Sequence, residues 1–318
     1  MNFRTQIPIS KSQNPIDYNS QIMSLGSCFA ENMAEKFEYF KFPNIVNPFG
    51  IIFNVVSIEK IILRIVNQEL FTEKDIFFYN EQWHCYEVHS DLSHENKEVF
   101  LRNLNQILKS TNQQIINSTH FIITYGTSWV YKNTETNEIV ANCHKIPQKH
   151  FSKEILSIET TQKSIENTIL LIQSVNSNAQ FIFTVSPVRH IKDGFVDNNV
   201  SKAHLICAIY KTLSVPNFVS KVTYFPSYEI VLDELRDYRF YKQDMLHPNP
   251  IAIDYVWERF VETSISETSI SIMDEVGNIQ KMISHKSLNT QSVTNQEFKI
   301  KIQEKINQLR LKNPQIIF

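Results

Sequence analysis

The chain has 318 residues, 42% hydrophobic and 20% charged, with 22 Phe and 12 Tyr to build a large core, which excludes disordered, collagen-like and linker readings. Lys and Arg total 31 against 33 Asp and Glu, a net charge of −2 with no long block of either sign, so neither nucleic acid nor an anionic membrane is an expected partner. Only 5 glycines are present, where average usage near ~7% would give roughly four times as many, so each needs a reason.

The amino-terminal stretch has neither an apolar h-region nor a small-residue cleavage site, and no segment reaches the ~18 apolar residues of a membrane span; a cytoplasmic protein is expected. Residues 21–25 (QIMSL) predict a short strand, Gly26-Ser27-Cys28 a tight turn, and Phe29, Met33, Phe37 and Phe40 a helix. After Asn47-Pro48-Phe49-Gly50 the pattern is less regular, with helices predicted at 57–70 and 96–109. Residues 121–125 (FIITY) predict a second strand, ended by Gly126, and 180–185 (QFIFTV) a third, stopped by Ser186-Pro187 and preceded by a helix over 157–175. A helix over 201–213 follows, with Ser201 as its cap and Lys202 solvated at its opening. Residues 222–225 (VTYF) predict a fourth strand, 228–235 a helical stretch, and Pro248 and Pro250 the start of a helix carrying Ile253, Val256, Trp257 and Phe260. Strand, loop and helix in alternation predict α/β layering. Residues 1–263 form the expected catalytic domain. Residues 264–318 are expected to be a polar linker, non-periodic over 264–296, and a helical appendage over 298–311.

Ser27 on a strand-to-helix turn is the first candidate nucleophile, because such a turn exposes the side chain and aims helix N–H groups at developing negative charge. It could equally serve only as a helix cap. In Asp244-Met245-Leu246-His247 the spacing of three lets the carboxylate reach imidazole Nδ1, fix the tautomer and leave Nε2 free as a base. Cys28 is a competing nucleophile, expected to pack toward the core. The pairs His84-Cys85 and Cys143-His144 lack the usual spacing of metal ligands, and the four cysteines form no CxxC, so a zinc or cysteine-dependent enzyme is the least favoured reading. Tyr238, Phe240 and Tyr241 would line an acyl or sugar pocket if they are not simply core.

The run Gly26-Ser27-Cys28-Phe29-Ala30 resembles the defining motif of the GSCFA family, grouped with the SGNH/GDSL-type hydrolases. The resemblance extends through Asn47-Pro48-Phe49-Gly50, the segment Tyr125 to Tyr131, Ala141-Asn142-Cys143-His144-Lys145, Val185 to His190, and Tyr241 to Pro248. It implies a three-layer α/β/α sandwich with a central, mostly parallel, flavodoxin-like sheet, and ester hydrolysis or acyl transfer with Ser27 as nucleophile and Asp244 and His247 as its partners. Two departures stand out: the usual Gly-Asp-Ser is here Gly26-Ser27-Cys28, and the usual Gly-x-Asn-Asp is replaced by Gly126-Thr127-Ser128-Trp129. The expected oxyanion donors are therefore the Ser27 and Gly50 amides, with Thr127 or the Asn142 side chain as a third. Asn47, Gly126, His144 and His190 complete the expected binding residues, and Gly277 is an ordinary loop glycine. The expected substrate is a small-molecule or carbohydrate ester. No metal or organic cofactor is required. The alternatives are an O-acyltransferase using the same residues and a non-catalytic ligand-binding protein on the same fold.

Overall fold

A computed structural model describes residues 5–285 and 293–318. At its centre lies a wholly parallel sheet of β1 (Ile22–Gly26), β2 (Asn44–Val46), β3 (His120–Tyr125), β4 (Gln180–Val185) and β5 (Val222–Tyr224), in the order β5-β4-β3-β1-β2. The helices are α1 (Cys28–Tyr39), α2 (Val55–Val66), α3 (Lys97–Asn117), α4 (Ile158–Val175), α5 (Phe195–Leu213), α6 (Pro250–Ser264), α7 (Glu267–Ser284) and α8 (Val293–Lys312).

Parallel strands covered on both faces are apolar throughout, and β3 buries all six of its residues. Alternation along the strands divides the core in two. Phe121, Ile123, Tyr125, Phe181 and Phe183 face the layer of α2 to α5, where Phe121 stacks on Phe181 at 5.5 Å and Tyr125 on Phe183 at 5.8 Å. Ile22, Ile122 and Ile182 face the layer of α1, α6, α7 and α8. Each fully buried ring contributes about 1.5–3 kcal/mol relative to exposure. The result is the expected three-layer α/β/α fold. Because β1 is flanked by β2 on one side and β3 on the other, the strand order reverses at β1, which opens a crevice beyond the carboxyl ends.

Several expectations change. Asn54 caps α2 by accepting from the Ser57 N–H at 2.8 Å, so that helix covers Val55–Val66 rather than 57–70, and α3 runs on to Asn117. A hairpin (Phe77–Tyr79 with Gln82–His84) and a three-stranded antiparallel sheet (Trp129–Asn133, Ile139–Val140, Phe151–Ile155) were not predicted. Residues 228–235 are largely a π-helical turn, Ile230–Leu235, closed by Arg236 in the left-handed region.

The stretch expected to be a non-periodic linker is mostly α7. Its Met273, Val276 and Ile279 are buried in the same cluster as Phe29, Phe37, Trp257 and Phe260, and Gln280 Nε2 donates to Tyr39 O at 2.8 Å. Gly277 is therefore a buried helical residue and not a loop glycine: a Cβ there would lie 3.4 Å from Phe40 Cε1. The segment before β1 pairs with the end of α6, through Ser12 N–H to Thr263 O at 2.7 Å and a parallel bridge of Ile16 with Ile265.

Candidate active site

At the carboxyl end of β1, Gly26 has φ +127°, and a Cβ there would sit 2.1 Å from Thr124 O of β3. Only glycine allows this approach. Ser27 follows as the N-cap of α1: its Oγ accepts from the Phe29 N–H at 3.3 Å, its own N–H donates to Thr124 O at 3.0 Å, and the residue is 3% exposed. Cys28, the first helical residue, is half-buried rather than packed into the core as expected. Burial pushes its thiol up and Glu31 adds to this, whereas Lys202 and Lys242 pull it down.

The loop before α6 builds the acid–base pair. Tyr241 bridges Pro248, the Lys242 N–H donates to His247 O at 2.7 Å, and Met245 takes φ +58° to close the turn. Asp244 Oδ1 accepts from the Leu246 and His247 N–H groups at 2.9 and 3.0 Å, and its Oδ2 lies 2.6 Å from His247 Nδ1. These bonds hold the Asp244 carboxyl down at about 2, the two backbone donors acting most strongly. Among the described residues His247 Nε2 has no hydrogen-bond partner, and neither Ser27 Oγ nor Cys28 Sγ is bonded to it. The expected nucleophile–base hydrogen bond is thus not made.

Beside the pair, the ring of His190 packs on Phe53, and its buried Nε2 has no partner among the described residues. Burial pushes His190 down to about 3, with further contributions from Lys202, His247 and Lys153. Lys202 was expected at a solvated helix start. It is instead fully buried, because α5 begins two turns earlier, after Gly194, and places position 202 on its inner face. Its Nζ donates to Gly126 O at 2.6 Å and Ser186 O at 2.7 Å, tying the ends of β3 and β4 together, and burial pulls it down to about 7. Arg189 lies over the Tyr238 and Tyr241 rings and donates to Tyr241 Oη at 3.0 Å.

The remaining expected residues divide. Asn47 Oδ1 accepts from the Gly26 N–H at 2.8 Å and its Nδ2 donates to Glu31 at 3.3 Å, so it buttresses the turn. The Gly50 N–H donates to Asn47 O at 2.7 Å. Both amides expected to form an oxyanion hole, those of Ser27 and Gly50, are therefore already engaged, one extending the sheet and the other closing a turn. The Thr127 hydroxyl is also spent, on Ser201 Oγ at 2.7 Å and the Trp129 N–H at 3.0 Å, although its backbone N–H has no partner among the described residues. Gly126 lies beside the site, where a Cβ would be 3.4 Å from His190 Nε2. Asn142 and His144 belong to a different neighbourhood: Asn142 Oδ1 accepts from the His144 N–H, and the His144 ring lies against Phe77 and His84, with Nε2 2.7 Å from Cys85 O. Among the described residues no three His, Cys, Asp or Glu side chains converge on a metal-sized site. A groove of about 720 Å³ lies near the amino ends of β4 and β5, lined by residues such as His120, Gln180 and Thr223, and includes neither Ser27 nor His247.

Comparison with protein families matches residues 21–260 to the model described as the GSCFA family, a span that holds β1 to β5, the β1–α1 turn and the Asp244–His247 pair. No curated protein matches the chain. No described helix is long and apolar enough to cross a membrane.

Proposed function

The chain belongs to the GSCFA family, and from that premise we propose that it is an ester hydrolase of the SGNH/GDSL type, acting through an acyl-enzyme formed at the β1–α1 turn. The observation that carries this reading is the Asp244–His247 pair, 2.6 Å apart, in a loop whose Lys242 acts on the Cys28 thiol at the N-terminus of the helix that follows β1. Asp244, held ionised, fixes the proton of His247 on Nδ1 and leaves Nε2 to accept a proton from the attacking group and return it to the leaving oxygen. The reading from sequence gives the attack to Ser27. Negative charge on the tetrahedral carbon's oxygen is met by the N–H of Cys28, which makes no hydrogen bond beyond its own side chain among the described residues, and by the Thr127 N–H. Tyr238, 59% exposed beside Arg189, offers a ring face to an acylated sugar.

Turnover of p-nitrophenyl acetate by the whole protein tests the class of reaction. His247→Ala should lower the rate about a hundredfold or more, the loss typical of removing a general base. Asp244→Asn should also lower it, because the tautomer is no longer fixed. A His247→Ala protein as active as the wild type would sink the proposal.

A further inference from the structure

The loop that follows β3 leaves one backbone donor over. The Gly126 N–H donates to Phe53 O at 2.8 Å, the Ser128 N–H to Ser201 Oγ at 2.8 Å and the Trp129 N–H to Thr127 Oγ1 at 3.0 Å. The Thr127 N–H between them has no partner among the described residues, although Thr127 is only 4% exposed. Buried N–H groups are ordinarily paired, so one left free at the end of a strand points to a ligand. The Ser27 N–H, donating to Thr124 O at 3.0 Å, sets the β1–α1 turn against the end of the same strand, just before Thr127.

An independent observation lies at the other end of that peptide group. Lys202, on α5, is 1% exposed and makes no ion pair among the described residues; its Nζ donates to Gly126 O at 2.6 Å and to Ser186 O at 2.7 Å. Gly126 O and the Thr127 N–H belong to one trans peptide, in which the two point in opposite directions, so the N–H faces away from Lys202 and α5. A cation on the carbonyl oxygen draws electrons from the amide nitrogen and makes its N–H a stronger donor, most of all where the local dielectric is low. A buried cation without a counter-charge is costly, and an oxyanion at the Thr127 N–H supplies the missing negative charge across the peptide.

We propose that Lys202 is a positioning residue of the acyl-transfer reaction, fixing and polarising the Gly126–Thr127 peptide so that the Thr127 N–H meets the oxyanion; the inference rests on the acyl-transfer reading above. Lys202 touches neither the substrate nor the reacting atoms and exchanges no proton with them. It acts on the charge that develops as each tetrahedral intermediate forms, and hardly at all on the bound ester, whose carbonyl oxygen carries little charge. Ser201, its neighbour on α5, steadies the same loop through Thr127 Oγ1 at 2.7 Å and the Ser128 N–H at 2.8 Å, so the peptide is held from both sides of the free donor.

The full chain and p-nitrophenyl acetate serve for the test. In Lys202→Met, which removes the charge and keeps an unbranched side chain, kcat should fall about tenfold or more, short of the loss of a whole oxyanion donor, with KM within about twofold of wild type. An unchanged kcat, or a loss carried entirely by KM, would overturn the inference. The pH profile separates the charge from mere support. Burial pulls Lys202 down to about 7, so its charge is present below that pH and lost above it. Wild-type kcat should decline there and Lys202→Met should not; identical profiles would leave Lys202 no role beyond packing. Its titratable neighbours are silent in that range, since burial pushes Cys28 and Tyr228 up and His190 down to about 3, and His247 is common to both proteins. Where Lys202→Met does not fold, the wild type alone decides. On binding butylboronic acid, whose adduct is a tetrahedral anion, the Thr127 amide proton should move downfield in the NMR spectrum, and further below that pH than above it. A shift that is absent or indifferent to pH would refute the inference and leave the hydrolase reading standing. Wild-type turnover matched by His247→Ala would instead remove the acyl-transfer reading beneath it, and the inference with it.

Discussion

Three buried side chains define what individual residues contribute here: His144, His190 and Lys202. Burial pushes His144 from the ordinary 6.5 down to about 4. The unfolded chain then binds a proton that the folded chain refuses, so stability is complete above pH 6.5 and is lost as pH falls toward 4. Urea midpoints measured across that window should decline in the wild type and decline less in His144→Gln, whose amide can still donate to Cys85 O. Equal slopes would remove His144 from the acid sensitivity. The Asp244–His247 pair was legible in the sequence because it is local: a spacing of three is enough to close it. Lys202 was not, because its acceptors Gly126 O and Ser186 O are distant in sequence and nothing near position 202 marks the lysine as buried. The assignment of oxyanion amides failed for a similar reason, since a motif names residues but not the partners their N–H groups already hold.

Elements were readable where burial is two-sided. β3 and β4 appear as unbroken apolar runs because helices cover both faces, and the predicted spans differ from those observed by one residue at most. The antiparallel sheet escaped because its strands are short, half-exposed and interrupted by Lys and Asn. Helix α7 escaped because small residues stand among its buried positions: Ser269 and Gly277 share the inner face with Met273, Val276 and Ile279, which blurs the apolar period. Two glycine substitutions separate these situations. Gly26→Ala places a Cβ 2.1 Å from a backbone oxygen of β3 at φ +127°, and should destabilise by an amount near the upper end for single substitutions, about 4–5 kcal/mol. Gly277→Ala gains about 1 kcal/mol of helix propensity against a contact of 3.4 Å with the Phe40 ring, and should leave the protein within about 1 kcal/mol of wild type. Thermal melts check both, and equal losses would refute the distinction.

For the molecule as a whole, α7 and α8 complete one face of the sandwich. Met273, Val276, Ile279, Ile306, Leu309 and Ile316 are buried in the cluster that also holds the inner faces of α1 and α6. Ending the chain after residue 263 should therefore expose an apolar surface, seen as strong binding of a hydrophobic dye and a non-cooperative melt; a cooperative, soluble fragment would show that the first 263 residues suffice. The pairing of residues 12–16 with 263–266 joins segments far apart in the chain. A ribosome delivers the first long before the second: Ile16 must wait through the making of every strand of the central sheet before its partner Ile265 emerges, so this contact forms only after the whole sheet has been synthesised.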